Sequence, residues 1–106
     1  MQIQINTDRN IDGDEDAIAL LEAIVRSELD RFAEQITRVE VHLRDENSNK
    51  KGGSDDLRCM MEARLGGLQP LAVTHNAGTM EEATNGAAGK MKRSLESALG
   101  KLNERS

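Results

Sequence analysis

The amino-acid sequence predicts a two-layer α+β fold, in which a four-stranded mixed sheet carries two helices on one face. Apolar residues alternate with polar ones in four segments and recur every three or four residues in two others. These patterns follow each other in the order β-α-β-β-β-α. Each helix has one apolar stripe and each strand one apolar face, so laying both helices on one face of the sheet buries all of them.

The first strand and the first helix lie in the N-terminal third of the chain. Residues 2–6 alternate, with Ile3 and Ile5 on one face, which is typical of a short strand. Acidic residues at 14–16 open a helix, because negative charge suits the positive end of the helix dipole. The apolar stripe of this helix contains Ile18, Leu21, Val25, Leu29 and Phe32. Since a helix connects them, strands one and two are expected to be parallel if they are neighbours.

The second and third strands, at residues 36–44 and 57–65, alternate clearly between apolar and polar residues. Their polar side chains are predicted to form an open sheet face with mixed-sign cross-strand neighbours. These side chains are Arg38, Glu40, His42, Arg44, Arg58, Glu62 and Arg64. Residues 47–56, between the two strands, are polar and contain glycine, which predicts a loop.

A fourth strand is predicted at residues 71–75. Pro70 cannot donate a backbone hydrogen bond, so this strand is expected at the edge of the sheet. A three-residue loop at 66–68 keeps the apolar side chains of both strands on one face. This register places Cys59 opposite His75.

The last helix begins at residues 79–82, TMEE, which have the spacing of a capping box. Its apolar stripe contains Met80, Ala87, Met91, Leu95, Ala98 and Leu102. A second stripe contains Lys90, Arg93 and Lys101, which lie within about one quadrant of the helix surface at roughly 100° per residue. In an otherwise acidic protein, cations gathered on one helix face indicate contact with something anionic. A solvated helix face is the alternative interpretation of the same stripe.

Glycines inside this last helix need an explanation, because each costs roughly 1 kcal/mol there. Gly86, Gly89 and Gly100 lie away from the apolar stripe. Gly86 is one turn before Lys90, where a nucleic-acid backbone could approach closely. A weak or frayed helix start is the interpretation that we prefer for it.

Length and composition predict a single domain over residues 1–106, with its core ending near residue 102. The net charge of −5 argues against unselective nucleic-acid binding. With one Phe and no Trp or Tyr, the chain lacks a stacking platform, so an RNA-binding function would depend on shape and phosphates. No secretory signal or membrane span is apparent, and the single cysteine is consistent with a reducing cytosol. We therefore expect a cytoplasmic protein.

Two groups of side chains are candidates for a chemical site. Cys59 and His75 could form a thiolate–imidazole nucleophile, but a cysteine at an inward strand position is typical of an inert core residue. One cysteine and one histidine are too few for a metal site. Asp8, Asp12 and Asp14 resemble a calcium loop but lack its glutamate and glycine positions. We expect no enzymatic activity, no metal and no cofactor.

Six short segments, spread along the chain, together carry a resemblance to a known family when they are taken in order. They are NI at 10–11, RF at 31–32, ITRVEVHL at 36–43, MEARLGG at 61–67, QPLAVTH at 69–75 and KMKRSL at 90–95. In this set the chain resembles the ribosome hibernation-promoting factor and ribosome-associated inhibitor family, also called ribosomal subunit interface proteins. The likeness extends to about Leu102, and the chain is similar to the short form of the family.

The resemblance implies a fold similar to a double-stranded-RNA-binding domain. It also implies a non-enzymatic translation inhibitor that binds 16S-type rRNA of the small ribosomal subunit and occludes the mRNA and tRNA channel. Lys90 and Arg93 match the family's cationic positions, in a segment similar to its K-x-x-R-x-L pattern, and Arg31 matches a basic position near the end of the first helix. Further rRNA contacts are expected from Arg26, Lys92 and Lys101.

The chain departs from the family at Glu96 and Ser97, where further cations are usual. The expected partner is the small subunit, with no membrane and no DNA, and the expected state is a monomer. The alternative function is a protein-interaction or regulatory module on the same fold, with weak or no ribosome binding, which would use the open sheet face or a strand edge.

Overall fold

The computed structural model describes residues 1–8, 11, 13–46 and 57–104, with side chains up to residue 100. Its elements are β1 (Gln2–Thr7), α1 (Glu15–Leu29), a short 3₁₀ helix (Asp30–Phe32), β2 (Ile36–Asp45), β3 (Leu57–Leu65), β4 (Leu71–Ala77) and α2 (Met80–Glu104). This order confirms the predicted β-α-β-β-β-α architecture. The loop predicted at 47–56 lies outside the described residues.

The four strands form one sheet in the order β1-β2-β3-β4. β1 and β2 are parallel, whereas β3 is antiparallel to both β2 and β4, which makes this a mixed sheet with β4 at one edge. The register pairs Cys59 with His75, as predicted. β4 begins at Leu71, so residues 66–70 separate it from β3 and the connection is longer than the predicted 66–68. Gly67, with φ of 77°, supplies the left-handed turn that this connection needs.

Side-chain caps fix where both helices begin. The carboxylate of Asp14 accepts a hydrogen bond from the backbone N–H of Ala17 at 2.8 Å, which satisfies a free donor in the first turn of α1. The hydroxyl oxygen of Thr79 accepts from the backbone N–H of Glu82 at 3.1 Å. The same hydroxyl donates to the Glu82 carboxylate at 3.1 Å. The acidic start predicted for α1 and the start predicted for α2 at residues 79–82 are therefore both present.

The core lies between the sheet and the two helices, which pack side by side on one face of it. α1 lies over β1, whereas α2 lies over β3 and β4. Fully buried side chains come from every element of these layers except the two edge strands. The largest are Leu21, Val25, Leu29, Ile36, Val39, Val41, Leu43, Met61, Met91 and Leu95. Phe32 is also buried, but it belongs to the 3₁₀ helix and does not continue the α1 stripe.

Close packing between α2 and β4 explains Gly86. A Cβ atom at this position would overlap the imidazole ring of His75, which lies against the helix. The helix continues without interruption on both sides of the glycine. Both earlier interpretations of Gly86, a frayed helix start and an approach point for nucleic acid, are therefore wrong, because a histidine of the same chain occupies the space.

Candidate nucleic-acid interface

The two helices arrange charge along the helix layer. Each helix follows a strand of the same orientation and returns across the sheet, so α1 and α2 run in roughly the same direction. Their acidic first turns, Glu15 and Asp16 in α1 and Glu81 and Glu82 in α2, therefore share one end of the layer. A small groove at this end is lined by residues from both helix starts, including Leu20 and Glu81. The predicted cationic residues all come later in each helix.

Lys90 and Arg93 are exposed on α2. The Nζ of Lys90 donates a hydrogen bond to the backbone carbonyl of Thr74 at 2.9 Å, which places this cation against the outer edge of β4. The guanidinium of Arg93 extends back over Gly89, where a Cβ atom would lie 3.9 Å from Nη1. Among the described side chains, neither cation forms an ion pair with a carboxylate. Both charges are available to an external anion.

Lys92 and Arg31 extend the positive charge across the layer. Lys92 is half-buried, and its position about 200° around the helix from Lys90 places it on the flank of α2 that faces α1. Arg31 is exposed in the 3₁₀ helix, with its guanidinium carbon 5.0 Å from the centre of the Phe32 ring. This distance is within the range of a cation–π contact, which holds the guanidinium in place while leaving its donors free. The side chain of Lys101 lies outside the described residues.

Arg26 lies apart from the α2 cations. It is exposed in the last turn of α1 and lines a groove along β1 that also contains Arg38. β1 and β4 are the two edges of the sheet, and neighbouring strands are about 4.8 Å apart, so about 14 Å of sheet separates Arg26 from Lys90. Those predicted rRNA-binding residues whose side chains are described thus form a broad layer that reaches from one sheet edge to the other, and no compact patch contains all of them.

The sheet face opposite the helices carries a second set of charges. Arg38 pairs with Glu40 at 3.5 Å, and Arg64 contacts both Glu40 at 3.8 Å and Glu62 at 3.2 Å. The predicted mixed-sign neighbours are thus present along and diagonally across the strands. The residues directly opposite each other, however, share the same sign: Arg38 faces Arg64, and Glu40 faces Glu62. Glu40 therefore offsets the repulsion between the two arginines.

A further like-charged pair, Arg44 opposite Arg58, lies on this face towards the other end of the strands. Neither guanidinium forms an ion pair or hydrogen bond among the described residues. The sequence pattern placed both arginines on the open face, but only the β2–β3 register shows that they face each other. From the sequence, this face was considered only for the alternative protein-interaction function, and these two residues were not singled out on it.

The alternative thiol site lacks a reactive thiolate. Cys59 is fully buried, and burial raises the pKa of its thiol to about 11, against a smaller opposing effect of the Thr84 hydroxyl. A thiol with such a raised pKa stays protonated at neutral pH and is a poor nucleophile. The His75 ring lies against Gly86 on α2. This geometry favours the interpretation of Cys59 as a core residue.

The acidic loop residues have structural contacts. Asp14 caps α1, and the carboxylate of Asp8 accepts a hydrogen bond from the backbone N–H of Asp45 at 3.1 Å. Asp12 lies outside the described residues. Across the described ranges, no three or more His, Cys, Asp or Glu side chains come together as a possible metal site.

Among the described residues, no helix has the length and apolar character needed to cross a membrane.

Solved structures share this fold. The chain is similar to the N-terminal domain of Protein Y from Thermus thermophilus, with a TM-score of 0.70 and 17% identity, over 91% of this chain and 97% of that one. It is also similar to a ribosomal subunit interface protein from Coxiella burnetii, with a TM-score of 0.68 and 12% identity, over 94% of this chain and 99% of that one. At these identities, the likeness establishes the α+β fold.

The family follows from the sequence itself. The model of the family described as "Sigma 54 modulation protein / S30EA ribosomal protein" matches residues 3–103. The chain belongs to this family, whose members are ribosome-associated proteins of the subunit-interface and hibernation type. Membership confirms the resemblance and implies a ribosome as the partner. Among curated proteins, no sequence is similar enough to count as a relative.

Proposed function

We propose that this protein is a non-enzymatic translation inhibitor that binds rRNA of the small ribosomal subunit and occludes the mRNA and tRNA channel. One observation carries the proposal. In a chain of a ribosome-associated family, exposed cations on the helix layer have no acidic partner among the described side chains. Phosphate oxygens are the groups that such cations bind in folded RNA. We accordingly place the protein in the cytoplasm, where ribosomes act, as a monomer.

Lys90 and Arg93 are proposed as the central contacts. An ammonium group has three donors, so the bond from Lys90 to Thr74 leaves two donors for phosphate oxygens. The planar guanidinium of Arg93 can bind a phosphate through two parallel hydrogen bonds. Lys92, Arg31, Arg26 and Lys101 are proposed as further contacts.

The rest of the molecule supports recognition of shape rather than of bases. Phe32, the only aromatic residue, is buried and cannot stack on a base. The acidic first turns of the helices would be repelled by rRNA, which favours docking with that end of the layer directed away from it. Inhibition would be steric, because a folded domain that fills the channel leaves no space for mRNA or tRNA.

Sedimentation with purified small subunits over a series of salt concentrations tests this function. We expect binding to weaken as salt rises and to fall strongly in the double variant Lys90→Glu and Arg93→Glu, because each lost phosphate contact lowers affinity. The double variant Arg44→Glu and Arg58→Glu is the matched control. It makes the same change in charge on the opposite face of the sheet, and it is expected to bind like the unchanged protein.

Two outcomes would contradict the proposal. Binding that responds neither to salt nor to the helix-layer substitutions would favour the alternative, a protein-interaction or regulatory module on the same fold. Binding that leaves the mRNA channel open would contradict the inhibitory mechanism. A filter-binding assay with a short mRNA and bound small subunits measures the second property, and we expect the protein to displace the mRNA.

A further inference from the structure

We propose that the open sheet face holds a binding site for a small phosphorylated molecule of nucleotide size, at the end formed by Arg44 and Arg58. A cleft of about 470 Å³ lies there, on the side of the sheet that faces away from both helices. Its volume falls within the range of small-molecule sites, roughly 300–1,000 Å³. The site is independent of the proposed rRNA interface, because none of the cations proposed to bind rRNA lines it.

The two arginines form a pair of facing positive charges that a bound anion would stabilise. Arg44 on β2 and Arg58 on β3 are directly opposite each other, and like charges in this position destabilise a sheet. Further along the same face, Glu40 reaches both arginines of the equivalent pair, Arg38 and Arg64. No described carboxylate does so for Arg44 and Arg58. A bound anion between these two guanidinium groups would convert the repulsion into two charge-assisted interactions.

The neighbouring row of side chains suits the organic part of such a ligand. His42 lies between Asn6 on β1 and Met60 on β3, and all three line the cleft. The imidazole and the amide can donate or accept hydrogen bonds. Met60 adds a flexible apolar surface. A terminal phosphate on the arginines would therefore place the rest of the molecule over this row.

Carboxylates at the rim favour a small ligand over a nucleic-acid strand. Asp8 also lines the cleft, where its carboxylate accepts from the backbone N–H of Asp45. Glu46 accepts a hydrogen bond from Asn76, which is paired with Arg58 in the sheet, at 3.0 Å. These acids would repel the adjacent phosphates of a polymer. A phosphomonoester, with a charge of about −1.5 to −2 at pH 7, matches two guanidinium groups better than a phosphodiester does.

Titration with adenosine 5′-monophosphate in a phosphate-free buffer tests the site, with binding followed by amide NMR shifts and by the thermal unfolding midpoint. We expect saturable shifts at residues 42–44 and 58–60 and a rise in the midpoint, because a ligand of the folded state stabilises it. Inorganic phosphate is expected to bind the same residues more weakly, and adenosine is expected not to bind.

Two variants and one control assign the binding to the arginine pair. Arg44→Gln and Arg58→Gln should each weaken nucleotide binding by about tenfold or more. Arg64→Gln, which removes an ion-paired arginine from the same face, should leave it unchanged. Because Arg58→Gln removes a repulsive pair, its unfolding midpoint without ligand should equal or exceed that of the unchanged protein, so loss of binding would not reflect loss of folding.

Several results would overturn the proposal. These are the absence of saturation with the nucleotide at millimolar concentration, equal binding by the Arg58→Gln variant, and equal binding of adenosine. A short RNA that contains only phosphodiesters and binds as tightly through the same arginines would also overturn it, by assigning the cleft to RNA. None of these results depends on Lys90 or Arg93, so failure here is distinguishable from failure of the proposed ribosome binding.

Discussion

The side-chain amine of Lys90 donates a hydrogen bond to the backbone carbonyl of Thr74, 2.9 Å away, and so connects α2 to the free edge of β4. Carbonyl groups at a sheet edge are otherwise open acceptors, and a lysine is a common way of protecting such an edge. Lys90 therefore has a structural contact in addition to its proposed role in RNA binding. Arg93, three residues later, has no hydrogen bond or ion pair among the described residues.

The first prediction separates these two roles. Lys90→Met should lower the free energy of unfolding by about 0.5–1 kcal/mol, because it removes a hydrogen bond to the edge carbonyl. Arg93→Met should change it by less than about 0.5 kcal/mol, as is usual for an exposed position. Urea unfolding measures both, and both variants should bind small subunits more weakly. Equal stability of the two variants would show that the Lys90 contact contributes nothing in solution.

The second prediction concerns the contact between Gly86 and His75. Replacing a helical glycine with alanine usually stabilises by up to about 1 kcal/mol. Gly86→Ala should instead destabilise by about 1–3 kcal/mol, because the new methyl group overlaps the imidazole ring. Gly100→Ala is the matched control, since among the described residues no atom outside the adjoining backbone of α2 lies within 4 Å of a Cβ there, and it should show the usual gain. Thermal and urea unfolding measure the difference.

A second substitution tests whether His75 causes this effect. In a His75→Ala background the space beside Gly86 opens, so Gly86→Ala should cost much less than it does alone. The coupling between the two substitutions is obtained from the four unfolding free energies. Costs that simply add would mean that the alanine is excluded by something other than the histidine.

The third prediction follows from the buried thiol. The pKa of Cys59 is raised from 9.0 to about 11 in the folded protein, so at pH values between these two the unfolded chain binds fewer protons than the folded one. The resulting stability is complete below pH 9.0 and is lost as the pH rises through about 11, by at most about 1.4 kcal/mol per pH unit.

Unfolding by urea at several pH values measures this dependence, with Cys59→Ala as the reference that lacks the thiol. The variant should be less stable near neutral pH because of the cavity, yet its stability should fall less steeply above pH 9.0. Parallel curves for the two proteins would contradict the raised pKa. Slow alkylation of the folded protein at pH 8 is the companion expectation, and rapid alkylation would revive the reactive-thiol alternative.

The sequence was sufficient for the fold because each element has a clear hydrophobic period. Alternation defined β2 and β3, and Pro70 correctly placed β4 at the edge. The pairing of Cys59 with His75 followed from keeping apolar side chains on one face. Local capping residues at 14 and 79 marked the helix starts. These signals are local, or concern neighbouring strands, and can be interpreted from one sequence.

The features that were missed depend on how distant elements meet. No feature of α2 alone explains Gly86. A glycine is needed there because His75 on β4 packs against the helix at that position. The facing pair of Arg44 and Arg58 depends on the exact β2–β3 register, across a loop whose length does not fix it. Arg26 is predicted as a further rRNA contact, but its place near the β1 edge, apart from the α2 cations, could not be predicted. Which flank of α1 faces the β1 edge is decided by packing in three dimensions.

The last prediction uses the distance between the cations. Lys90 lies at the β4 edge and Arg26 at the β1 edge, about 14 Å of sheet apart, so they should contact different phosphates. The binding free energies lost in Lys90→Gln and Arg26→Gln should therefore add in the double variant to within about 0.5 kcal/mol. Lys90 and Arg93 are one turn apart and can share a phosphate, so their double variant should lose less than the sum. Dissociation constants from sedimentation at one salt concentration give both comparisons. An Arg26→Gln variant that binds small subunits like the unchanged protein would limit the rRNA interface to the α2 side of the helix layer.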